Sequence, residues 1–219
     1  MASDAGAPRA PRYVYGESLW CEAPSFLWCC IPKNASRSLV RMLTAKGGRR
    51  ISTISPDVQP RKWVLAAPKP ALSFGFVRDP YARLISAWRN KLGARPEAEK
   101  TASLFVHNPG LYPGMSLDAF VEWLAENLDA RGPDKHWRRQ SDFLVNEEAE
   151  LCVDFVGKVE SLAADLAQLA PVLGHFDLIA HTNKSRKTSG EPEPELSDRA
   201  RRIVQDLYRE DFERFGYPP

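Results

Sequence analysis

Much is missing that would point to a stapled, membrane-bound or nucleic-acid-binding chain. The four cysteines, Cys21, Cys29, Cys30 and Cys152, include no C-x-x-C pair, so reduced, buried thiols of a cytoplasmic protein are expected. Cys29 and Cys30 are neighbours on an expected strand and should point to opposite faces. No apolar run reaches the roughly 18 residues of a membrane helix. Residues 1–12 are rich in Ala, Pro and Arg and lack the apolar stretch of a signal peptide, so they read as a flexible N-terminal tail. An excess of one charge is missing too: the formal net charge is +2, which gives no global attraction to nucleic acid.

What is present is an α/β pattern. The 219 residues suffice for one such domain with a core, expected over 13–219. Residues 26–31 read as a buried strand. The polar turn Pro32-Lys33-Asn34-Ala35-Ser36 follows, then a helix whose apolar positions Leu39, Val40 and Leu43 recur until Gly47-Gly48 stops it. A second unit of this kind begins at Leu72. It has a strand over 72–77, the turn Arg78-Asp79-Pro80, and an apolar stripe of Leu84, Ile85, Trp88 and Leu92; Asp79 suits an N-cap and Pro80 the first helical position.

Further on, residues 93–115 read as a surface loop and Ser116 as the cap of a helix through Ala130. Residues 131–140 form a basic loop, 151–156 a strand, and Ser161 caps a helix over 162–173. A short strand over 176–180, a second basic loop over 181–187 and a final helix capped by Ser197 complete the pattern. Residues 13–22 are expected to pack over the domain edge, and 63–66 are another candidate strand. Strands alternating with helices give a three-layer architecture, a mostly parallel sheet covered on both faces.

The turn before the first helix has chemistry of its own. A helix N-terminus presents unpaired N–H groups and the positive end of a dipole. Lys33 and the hydroxyls of Ser36 and Ser38 make this turn a candidate phosphate or sulfate cradle. It is not the nucleotide-triphosphate loop G-x-x-x-x-G-K-[ST], in which the residue after Lys holds magnesium: neither glycine is present and Asn34 follows Lys33. An ordinary strand–helix turn with an exposed lysine is the alternative on this stretch alone. Arg78 ends a buried strand, where open α/β sheets bind ligands, and Ser86 could bond the same anion from the following helix. Arg78 could equally pair with Asp79 or a helix end, and Arg83 reads as a structural partner.

Together, Ile31-Pro-Lys-Asn-Ala-Ser-Arg-Ser-Leu39 and Phe76-Val-Arg-Asp-Pro-Tyr-Ala-Arg-Leu-Ile-Ser-Ala-Trp88 resemble the two donor-binding motifs of sulfotransferases, in the right order. The likeness is closest to the carbohydrate sulfotransferases of the Golgi type and their bacterial relatives. It extends over His136-Trp137 with Gln140, over Val153–Leu162 before an acidic helix, and over Asn183-Lys-Ser and the closing residues to Tyr217. The resemblance implies a P-loop-like sulfotransferase fold. It also implies in-line transfer of a sulfuryl group from 3′-phosphoadenosine-5′-phosphosulfate (PAPS) to a hydroxyl, without a metal. Lys33 would stabilise the leaving oxygen. Asn34, Ala35, Ser36, Arg37 and Ser38 would hold the 5′-phosphate, and Arg78 and Ser86 the 3′-phosphate. Lys184, Ser185 and Arg186 would reach the adenine side or the 3′-phosphate, or else belong to a solvated loop.

The general base is less legible. Residues 40–77, where related enzymes place a histidine, contain neither His nor Glu, and Asp57 is their only carboxylate. His136 is the first candidate and His107 the second, with Glu17 and Glu22 also open; His175 reads as a surface residue. A basic rim of Arg131, Lys135, Arg138 and Arg139, with Trp137, Trp123, Tyr112 and Tyr81, would suit a glycan, or these residues are core packing and solvated charge. The absence of an anchor fits a cytoplasmic bacterial enzyme or a chain that lacks its anchor; the oligomeric state is not encoded. An ATP-dependent kinase of related fold and a non-catalytic nucleotide- or glycan-binding protein are the rival readings.

Overall fold

The computed structural model describes residues 17–52, 70–93, 104–128, 134–146, 148–175 and 194–219. The tail over 1–12, the strands expected over 63–66 and 176–180, and the loop over 181–187 lie outside the described residues. The elements run β1 (Glu17–Glu22), β2 (Ser25–Cys29), α1 (Ser36–Ala45), β3 (Arg49–Ser52), β4 (Leu72–Val77), α2 (Pro80–Lys91), α3 (Leu117–Asn127), α4 (Ser141–Leu144), β5 (Phe155–Lys158), α5 (Leu162–Gln168), α6 (Ala170–Leu173), α7 (Asp198–Leu207) and α8 (Arg209–Phe215). They fall into two compact units: residues 1–77 with 140–183, and residues 78–139 with 184–219.

The first unit is built on a five-stranded sheet of order β3-β1-β2-β4-β5. β2, β4 and β5 run parallel, and β1 is antiparallel to both β2 and β3. The expected parallel sheet is therefore its β2-β4-β5 half, extended by an antiparallel ribbon. Residues 17–22, expected to lie over the edge, are a sheet strand. They turn at Ala23-Pro24 straight into β2 and pair Leu19 with Trp28 and Cys21 with Phe26. β3 follows directly on the helix stop at Gly47-Gly48. The third parallel strand is displaced from the expected 151–156 to Phe155–Lys158.

β4 is buried at every position, as a strand covered on both faces must be. On one face Phe26, Trp28, Cys30, Phe74 and Phe76 join Leu39, Met42 and Leu43 of α1 and Leu166, Leu169 and Leu173 of α5 and its continuation. Cys29 is fully buried yet outside this cluster, in accord with the opposite facing of the two neighbouring cysteines. On Cys29's side of the sheet α4 closes over β4 at Gly75, where an added Cβ would lie 2.7 Å from Leu144 Cδ2. The helix expected over 162–173 breaks at Leu169, and Ser161 does not cap it, because its hydroxyl donates to Asp165 Oδ2.

The second unit is helical among the described residues. Its helix starts follow the sequence signals: Asp79 Oδ1 accepts from Ala82 N at 2.8 Å, and the Ser116 and Ser197 hydroxyls accept from Ala119 N and Ala200 N, both at 3.2 Å. Each such cap is worth about 1 kcal/mol. Phe120, Trp123 and Trp137 form an aromatic cluster with ring centroids 5.4 to 6.4 Å apart. The loop expected over 93–115 carries one helical turn at 104–107. Among the described residues no helix is long and apolar enough to cross a membrane.

Packing density at the β4–β5 seam yields a stability prediction. A Cβ on Gly157 would lie 2.4 Å from Phe76 Cε1, and Phe76 is held by edge contacts to Phe74 and Phe155. Gly157→Ala is expected to lower the unfolding free energy by about 1–3 kcal/mol, read by urea denaturation; an unchanged midpoint would contradict this packing.

Candidate functional site

The first unit places Lys33, Asn34, Ala35, Ser36, Arg37 and Ser38 on one short loop and the first turn of α1. The loop leaves the carboxyl end of β2, a strand inside the parallel half of the sheet. Two non-glycine residues in it adopt left-handed backbone, Lys33 with φ 74° and Ala35 with φ 55°, conformations that need support from their surroundings. Between them Asn34 points inward and is 1% exposed. Its Nδ2 donates to Phe76 O at 2.8 Å and to Gln140 Oε1 at 2.7 Å. The Asn34 side chain, expected to touch a ligand, is instead used inside the protein.

The turn is further held by Asn34 N and the Ser36 hydroxyl, which both donate to Ile31 O, at 3.4 and 2.9 Å. With its proton aimed inward, Ser36 offers an anion its backbone N–H rather than a hydroxyl hydrogen. The helix ladder begins with Ser38 N and Leu39 N donating to Ala35 O. No acidic side chain occupies the first turn of α1, Lys33 is half-buried beside it and Arg37 is exposed. A positive helix end with a lysine and an arginine beside it, and no acidic residue in its first turn, is the donor set an anion needs.

The second unit contains Arg78, Ser86 and His136. Arg78 directly follows β4 and Ser86 lies on α2; both side chains are half-buried. Arg83 of the same helix is 2% exposed and donates to Arg138 O at 2.7 Å and Lys135 O at 3.3 Å, the structural role its sequence position indicated. The Tyr208 hydroxyl donates to Trp137 O at 2.5 Å. The carbonyls on both sides of His136 are thereby fixed from helices.

His136 has a partner that sequence reasoning missed. Its Nδ1 lies 2.5 Å from Asp134 Oδ1, which also accepts from His136 N at 2.8 Å. A carboxylate on Nδ1 selects the tautomer in which Nδ1 carries the proton and Nε2 the lone pair. An acid two residues before a histidine was visible in the sequence, but only the turn over 134–137 makes it a contact. Burial is the largest influence on the Asp134 carboxyl and acts to raise its pKa; His136, by hydrogen bonds and charge, and Lys91 outweigh it, so the pKa lies below the ordinary 3.8.

Other candidates are placed differently. His107 and His175 are exposed, and His175 O accepts from Lys46 Nζ. His181, Lys184, Ser185, Arg186 and Arg131 lie outside the described residues. Of the expected basic rim, Arg138 is 5% exposed, and Arg139 Nε donates to Leu207 O at the end of α7. Trp137 and Trp123 belong to the aromatic cluster, and Tyr81 packs on Phe212 with Arg201 over its ring. Tyr112 remains exposed. Among the described residues no group of His, Cys, Asp or Glu is placed to hold a metal ion.

Comparison with known proteins gives a consistent picture. The profile described as "Sulfotransferase family" matches residues 17–218, which includes β1 at one end and the last turn of the chain at the other. The chain is 30% identical to carbohydrate sulfotransferase 12 of Mus musculus over 66% of this chain and 40% of that protein. It is 27% identical to carbohydrate sulfotransferase 14 of Mus musculus and 28% to that of Homo sapiens, in both cases over 97% of this chain and 65% of the relative. The chain thus spans 40% to 65% of the length of these relatives. No solved structure matches.

The Asp134–His136 pair gives a pH prediction. A carboxyl whose folded pKa lies below its unfolded value stabilises the protein above the unfolded pKa, and that contribution is lost as pH falls through the folded one. Wild-type unfolding free energy should therefore drop as pH falls below about 4. Asp134→Asn keeps the acceptor oxygen and loses the charge. It should cost about 1 kcal/mol at pH 7 and flatten the acid drop in urea titrations; an unchanged acid limb would show that this carboxylate is not paired in solution.

Proposed function

The chain belongs to the sulfotransferase family, and on that premise we propose that it transfers a sulfuryl group in line from PAPS to a hydroxyl of a carbohydrate acceptor. The observation that carries the reading is the Lys33 loop. It ends a buried parallel strand and opens α1, whose first turn has no acidic residue, inside a chain that the family profile matches almost throughout. The carbohydrate acceptor rests on the names of the relatives.

When bound, the donor supplies a sulfuryl group already activated on a phosphate. The acceptor oxygen forms the new bond to sulfur, the bond from sulfur to the bridging oxygen breaks, and adenosine 3′,5′-bisphosphate leaves. Lys33 opposes the negative charge that grows on that bridging oxygen. The N–H groups opening α1 hold the 5′-phosphate, with Arg37 beside them. Arg78 and Ser86 take the 3′-phosphate, the group that distinguishes this donor from ATP. Lys184, Ser185 and Arg186 serve the adenine side or the same phosphate. Asn34 stands where a magnesium-binding hydroxyl follows the lysine of an ATP loop, so the reading calls for no metal.

The acceptor proton goes to Nε2 of His136, whose ring is set by Asp134 through Nδ1, the arrangement of a base oriented by a third group. What supports His136 over the other histidines is that partner and the anchored loop around it; His107 and His175 are exposed.

Calorimetry with adenosine 3′,5′-bisphosphate and with Mg-ATP tests the donor: binding of the bisphosphate is expected, and binding of Mg-ATP alone would overturn the reading in favour of a kinase. Turnover of labelled PAPS against glycans, phenols and lipids tests the acceptor class. Lys33→Ala should lower kcat about 10²–10³-fold, and His136→Gln about 10²-fold or more with loss of the acid limb of the pH profile. Full activity in Lys33→Ala would refute the mechanism.

A further inference from the structure

We infer that Asn34 and Gln140 form a buried amide clamp that sets the Lys33 loop in its anion-accepting shape before any ligand arrives. They are thus positioning residues for the transfer, an inference that rests on the donor reading above. Gln140 lies 106 residues from Asn34 along the chain and is fully buried. It sits at the start of α4, the helix that covers Gly75 of β4. The Asn34 amide bridges it to Phe76 O, so one side chain ties the loop after β2 to the carboxyl end of β4 and to α4.

The chemistry at this point requires an amide donor. Both partners of Nδ2 are oxygens, so both hydrogens of one NH2 group are used and the amide orientation is fixed. Asn34 Oδ1 is buried with no hydrogen-bond partner among the described residues, an expense the fold bears in order to keep the donor end where it is. The clamp acts on the loop because of its position. It lies between Lys33 and Ala35, the two residues whose φ values of 74° and 55° are left-handed. With the Asn34 side chain held, those two backbones cannot relax toward ordinary values without moving the strand end or α4. Two further ties, from Asn34 N and Ser36 Oγ to Ile31 O, are local to the turn. A loop fixed before binding gives up no ordering entropy when the phosphate arrives.

Two variants of similar shape test the clamp, Gln140→Met, which removes the acceptor, and Asn34→Leu, which removes both donors; neither alters the charge of the loop. Hydrogen exchange by mass spectrometry on the full chain should show faster exchange in peptides covering 31–38, with the rest of the sheet unchanged. Calorimetry with adenosine 3′,5′-bisphosphate should show Kd weakened roughly tenfold to a hundredfold at unchanged stoichiometry. Unchanged exchange over 31–38 would overturn the clamp. So would a fall in stoichiometry at unchanged Kd, because that marks a loss of folded protein rather than a displaced loop. If the wild type does not bind the bisphosphate at all, the donor reading fails, while the exchange data still decide whether the two amides set the loop.

Discussion

Burial of β4 on both faces is the constraint on which the rest of the structure depends. A strand so placed must give its edges to neighbours and its side chains to packed layers, and β4 does both. It pairs with β2 and β5 in parallel, fills one face with Phe74 and Phe76, and admits Leu144 on the other only because Gly75 has no Cβ. At its carboxyl end a backbone group is offered to something other than the ladder. Phe76 O is that group, and it is taken by Asn34. Immediately after Val77 the chain leaves the sheet unit with Arg78.

Both strand–turn–helix units solve the same problem with different means. The turn after β4 uses the common devices, an aspartate cap and a proline at the first helical position, with no left-handed residue. The turn after β2 has no side-chain cap on its helix and instead holds two left-handed residues by inward hydrogen bonds. An uncapped helix start keeps its N–H groups available, which is what an anion site needs and what a capping carboxylate would prevent. The difference between the two turns is therefore chemical as well as geometric.

The loop that carries His136 follows another logic. Its carbonyls are gripped by Arg83 and Tyr208, and Asp134 folds back on the ring. Arginine suits this task because its planar fork can hold two carbonyls at once while its aliphatic stem stays in the core. Four residues that look in sequence like a solvated basic stretch, Lys135 to Arg138, are by this means half-buried or buried.

The sequence alone determined the periodic parts of this protein. β4 and α2 run over the residues their apolar spacing indicated, and Asp79, Ser116 and Ser197 cap as their types require, because these features depend on neighbours within one turn of chain. The two family-like motifs were legible for the same reason. Tertiary structure decided what depends on distant partners. Residues 17–22 become a strand because an open edge of β2 accepts them, and 49–52 because β1 then offers its own edge, not because their own alternation is strong. The helix over 162–173 breaks where Pro171 cannot continue the ladder, and Arg138 is buried because carbonyl partners and packing elsewhere fix its loop. Asn34 changed most: its place beside Lys33 suggested a ligand contact, and only the arrival of Phe76 O and of Gln140, 106 residues away, turned its amide inward.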